Sequence, residues 1–111
     1  MHIKDGPQWD VFNQLQTGRS NAITGEDITE LTGLGDVRQT RIVILELIEA
    51  GVPVASANTK PLGYFIAVDE AEVREYKRKE LSRLKSLAYR MRMFGKAAET
   101  YVEPKQAVMP L

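Results

Sequence analysis

The sequence predicts a mainly α fold with one small β-hairpin and a long helix closing the chain. Three observations lead there. Two short amphipathic stretches meet at Gly33-Leu34-Gly35. Two apolar runs, 52–56 and 63–67, flank a polar tip. From Asp69 to Phe94 neither glycine nor proline interrupts a helix-compatible sequence.

The elements follow in order. Pro7-Gln8 opens a short helix, with Trp9, Phe12 and Leu15 forming an apolar stripe. Thr17-Gly18-Arg19-Ser20-Asn21 is a loop, and Ala22-Ile23 a brief extended piece. Thr24 is placed to cap a second helix, whose first turn carries Glu26 and Asp27 at the positive end of its dipole. Ile28 and Leu31 are its inward residues, and Gly33 ends it. Asp36, with Gln39 three residues on, caps a third helix that runs to Ala50 and stops at Gly51. Thr40, Val43, Ile44 and Leu47 are its buried stripe, which leaves Ile42 and Leu45 on the outer face beside Arg38 and Arg41. Strands at 52–56 and 63–67 form a hairpin around the tip Asn58-Thr59-Lys60-Pro61. Asp69 caps the last helix, expected to reach about Tyr101. The segments are thus an N-terminal arm over 1–8, a folded body over 9–68, a long basic helix over 69–101 and a frayed tail over 102–111.

Composition narrows the function classes. The chain has 111 residues, enough for one domain, and is 43% apolar and 27% charged. It has no cysteine, which excludes disulfides and thiolate metal sites and suits a reducing cytoplasm. The first residues lack the apolar run of a signal peptide, and an uninterrupted run such as Ile42-Val43-Ile44-Leu45 is far too short to span a bilayer. Catalysis would need a nucleophile with its base, a metal cluster or a phosphate loop. His2 is the only histidine, and no phosphate-loop motif occurs, so no enzyme and no cofactor is expected. The carboxylates of Glu26, Asp27 and Glu30 suit a helix N-terminus better than a cation.

Net charge is zero, but it is unevenly spread. Residues 1–50 hold four bases against eight acids, whereas 77–96 hold eight bases against Glu80 alone. Local potential rather than net charge attracts a polyanion.

Helix, tight turn, helix and hairpin is the winged helix-turn-helix layout. The stretch ITGEDITELTGLGDVRQTRIVILELIEAGVPV, residues 23–54, followed by GYFIA at 63–67, resembles two groups. One is the N-terminal winged-helix domain of biotin protein ligase repressors. The other is a set of small bacteriophage winged-helix proteins in which a wing ending in Gly-Tyr leads into a long charged helix. The resemblance spans residues 22–100. It implies that the first turns of the third helix meet double-stranded DNA, here with Arg38, Gln39 and Arg41. Arginine can bond guanine bidentately and glutamine adenine. In the wing, Asn58, Thr59 and Lys60 are candidates for phosphate, as are Lys77, Arg78, Arg83 and Lys85 in the long helix. The expected role is transcriptional control or replication initiation in a phage or mobile element.

Two features keep alternatives open. Ile42 and Leu45 on the outer face suit a protein partner, so an adaptor or inhibitor of a host enzyme or defence complex is the rival expectation. In the last helix, Leu84, Leu87, Met91, Phe94 and Ala98 make a heptad-like seam, flawed by Glu80. That stripe serves either a homodimer or packing on the body. Single-strand binding by the basic helix is a third class, short of a stacking platform beyond Tyr76, Tyr89 and Phe94.

Overall fold

The computed structural model describes residues 1–103; residues 104–111, most of the tail, lie outside the described residues. The chain divides into two compact units, Met1–Tyr76 and Lys77 onward. Among the described residues four α-helices, α1 (Pro7–Phe12), α2 (Gly25–Thr32), α3 (Val37–Glu49) and α4 (Glu70–Thr100), accompany one hairpin of β1 (Val54–Ala57) and β2 (Gly63–Ile66). The protein is therefore mainly helical, with an antiparallel hairpin and a long C-terminal helix.

In the first unit, helix boundaries follow their caps. The Thr24 hydroxyl accepts from the Asp27 amide at 3.1 Å, and Gly33 closes α2 in the left-handed conformation at φ 73°. The Asp36 carboxylate accepts from the Gln39 amide at 2.9 Å to open α3, and Gly51 at φ 104° follows its end. α3 buries Thr40, Val43, Ile44 and Leu47, the stripe that its 3.6-residue period predicts. These side chains meet Val11, Leu15, Ile28, Val52 and Val54 in one cluster. Each large apolar side chain buried there contributes about 1.5–3 kcal/mol.

Two apolar expectations are corrected. Along α1 the buried residues are Val11 and Leu15, spaced by four, whereas Trp9 is exposed and packs edge-on against half-buried Phe12 at 5.4 Å. The helix ends at Phe12, and Gln14 and Leu15 then bond carbonyls three residues back, tightening the turn that delivers Leu15 to the core. In α2, Leu31 is 62% exposed. The inward face runs Gly25, Ile28, Thr29, Thr32, and Leu31 falls outside that progression. The N-terminal arm is also tied down: the His2 amide donates to the Ala50 carbonyl at 3.0 Å and Ile3 packs on the core.

β2 is paired on both edges. On one side β1 joins it in the register Val54–Ile66 to Ala57–Gly63. On the other, Ile23 exchanges both backbone bonds with Tyr64, and Ile66 bonds Gln16 and Gly18. The extended piece at Ala22-Ile23 thus becomes a one-residue third strand. Gly63 is required at this crossing. Its φ is 122°, and a Cβ there would fall on the Ile23 carbonyl.

The start of α4 belongs to the first unit. The Asp69 carboxylate accepts from the Ala71 and Glu72 amides at 2.8 and 3.3 Å. Val73 and Tyr76 then pack on a second cluster of Ala55, Ala57, Phe65 and Ala67. This packing moves the unit boundary inside α4, where the sequence placed it ahead of the helix. Among the described residues no helix is long and apolar enough to cross a membrane.

Candidate nucleic-acid interface

The corner between α2 and α3 is fixed from inside. Thr40 is fully buried, and its hydroxyl lies 2.6 Å from that of Thr29, which in turn donates to the Gly25 carbonyl at 2.7 Å. With the only Thr29 hydroxyl proton committed to Gly25, Thr40 is the donor between the pair. Opposite this bond, Arg38, Gln39 and Arg41 are exposed on the first turns of α3. Those turns also carry the Asp36 cap, so the three side chains stand at a defined helix start rather than on a loop. Further along the same outer surface, Ile42 is 45% and Leu45 57% exposed, and Ile48 is exposed as well. Arg38 and Ile42 are one turn apart, as are Arg41 and Leu45, so basic and apolar side chains share the face.

The hairpin tip is organised by a residue that the sequence did not single out. The Arg19 guanidinium donates to the carbonyls of Thr59 at 2.6 Å, Pro61 at 2.7 Å and Lys60 at 3.4 Å, and to the Thr59 hydroxyl at 2.9 Å. Its backbone amide donates to the Glu72 carboxylate at 2.8 Å, joining the turn Arg19–Asn21 to the first turn of α4. Asn58, Thr59 and Lys60 are all exposed. The Thr59 oxygen accepts from Arg19, which leaves its own proton to donate. Nothing local signals this role, since Arg19 and the tip are about 40 positions apart.

In the second unit, Lys77, Arg78, Arg83 and Lys85 are exposed. Arg83 is paired to Glu80 at 3.1 Å, so the acid that interrupts the seam is countered one turn on. Leu84, Leu87, Met91, Phe94 and Ala98 are all exposed, and α4 contains no buried residue. Tyr89 is exposed too, with the Arg92 guanidinium 5.5 Å from its ring centroid. Among the described residues no group of three acidic or histidine side chains could hold a metal ion.

Comparison with known proteins adds no family: no family model, no curated protein and no solved structure matches the chain.

Proposed function

We propose that this chain is a double-stranded DNA-binding protein of winged helix-turn-helix type, a regulator of transcription or a replication-associated factor of a phage or mobile element. The observation that carries this is the capped start of α3, which displays Arg38, Gln39 and Arg41 on a helix pair joined by the Thr29–Thr40 bond, together with a hairpin tip braced by Arg19. Arginine and glutamine are the side chains whose fork geometry matches guanine and adenine edges. The basic stretch 77–96 supplies the sequence-independent attraction. Its partners are DNA and a second copy of the chain joined through Leu84, Leu87, Met91, Phe94 and Ala98. It acts in the cytoplasm as a binding protein, without catalysis or cofactor.

Random-oligonucleotide selection at moderate salt tests the assignment by enriching one motif. Arg38→Ala with Arg41→Ala then abolishes preference for that motif; unchanged preference rejects α3 as the reading helix.

A second reading rests on Ile42, Leu45 and Ile48. Three exposed apolar side chains on the nominal groove face suit a protein partner better than a duplex, although a thymine methyl can accept one. An adaptor or inhibitor built on the same fold would show no duplex affinity even at low salt. A DNA reader must show affinity that falls steeply as salt rises.

A further inference from the structure

The two units carry opposite charge. Met1–Tyr76 holds six bases against twelve acids, a formal −6, and Lys77 onward holds nine against three, a formal +6. The unit displaying Arg38 and Arg41 therefore carries a net negative charge, and the excess of positive charge that attracts a polyanion lies in the second unit. The bases there are not spread evenly around the helix. At 100° per residue, Arg78, Lys85 and Arg92 recur every seven positions on one line, and Ser82, Tyr89 and Lys96 fall beside them. All six are exposed, and no acid occurs on this face from 78 to 96. The apolar residues Leu84, Leu87, Met91 and Phe94 lie about 160° away around the axis, and Glu80 shares their side.

We infer that Arg78, Lys85, Arg92 and Lys96 form a linear track for the phosphodiester backbone of duplex DNA. This rests on the DNA-binding role proposed above and locates its non-specific component. Successive bases on the line are about 10.5 Å apart, close to the rise of three nucleotides along one strand. Tyr89 is engaged by the Arg92 guanidinium, which holds that base over the helix surface and makes the ring a support for the cation rather than a platform for a nucleobase. Because track and apolar seam occupy opposite sides, the second unit can pair with another copy and still present its bases.

The test compares two triple variants by anisotropy on one short fluorescent duplex across a salt series. Lys85→Ala with Arg92→Ala and Lys96→Ala removes three track bases. Lys77→Ala with Lys79→Ala and Arg90→Ala removes the same charge from other sides of the helix. Alanine preserves helix propensity, and circular dichroism verifies it. The track variant is expected to lower the salt slope of log affinity by about 3, one unit per base, and the off-track variant by less than half as much. Equal losses would overturn the track in favour of a diffuse positive field. Tighter binding of the single strand than of the duplex would overturn the duplex as its ligand. If the track variant keeps the full slope while the parent still prefers one motif, the track fails and the DNA-binding role stands; a parent that binds no duplex at low salt removes both.

Discussion

The hydroxyls of Thr29 in α2 and Thr40 in α3 meet at 2.6 Å, a side-chain bond that joins the two helices presenting the candidate reading face. Thr40 is fully buried and donates, while Thr29 passes its own proton to Gly25. Removing the donor alone, Thr40→Val, preserves shape and leaves Thr29 bonded. It should cost about 1 kcal/mol, a fall in Tm of about 4–8 °C for a unit of this size. Thr29→Val strands a buried donor and should cost more, about 2 kcal/mol. The double variant should fall short of the sum by about 1 kcal/mol. Additive losses in a thermal double-mutant cycle would show that the two hydroxyls are not coupled.

Gly63 faces the Ile23 carbonyl with a backbone at φ 122°. Gly63→Ala must both adopt a conformation costly for an L side chain and push the one-residue strand away from β2. The expected loss is on the order of 2–3 kcal/mol by chemical denaturation. Gly35→Ala, where a Cβ meets nothing within 4 Å, serves as the reference and should change stability by under about 1 kcal/mol.

Local chemistry made most of the fold legible. Thr24, Asp36 and Asp69 are cap residues by their own side chains, and Gly33 and Gly51 end helices by backbone freedom, so these five boundaries needed no tertiary information. The α3 stripe was equally readable, because thirteen residues give several helical periods. α1 was not: six residues give fewer than two turns, and spacing by three could not be told from spacing by four. Leu31 was misplaced because hydrophobicity outweighed position, while the inward face of α2 was made of glycine and threonine. Of the candidate site, exposure of Arg38, Gln39 and Arg41 followed from the stripe they oppose. The bracing of the wing by Arg19 did not, since it depends on groups brought together by the closed fold.

Arg19 offers a planar fork to three carbonyls, a geometry that a single ammonium cannot reproduce. Arg19→Lys should therefore loosen the tip without unfolding the unit. The expected readout is faster hydrogen exchange across residues 58–62 with Tm lowered by only a few degrees, since these bonds are exposed. Unaltered exchange at the tip would show that β1 and β2 hold the wing without the arginine.

The seam of α4 carries a prediction about direction as well as mass. With Leu84 and Met91 at one core position of the heptad and Leu87 and Phe94 at the other, Arg83 and Arg90 flank the seam. In a parallel, in-register pair these arginines face Ala88 and Gly95 of the second copy, whereas an antiparallel pair aligning Met91 with Leu87 sets Arg90 against Arg90. Like-charge apposition disfavours the second arrangement. The proposed dimer is therefore parallel. Leu87→Asp should yield a monomer by sedimentation at micromolar concentration, with Ser86→Asp, off the seam, retaining the dimer mass. Because the chain has no cysteine, Ala98→Cys gives a clean reporter of direction. It oxidises to a covalent dimer in a parallel pair, where the two positions meet across the core, and stays reduced in the antiparallel pair, where position 98 faces 80. A monomeric parent protein would reject the seam, and a dimer that resists this cross-link would reject its direction alone.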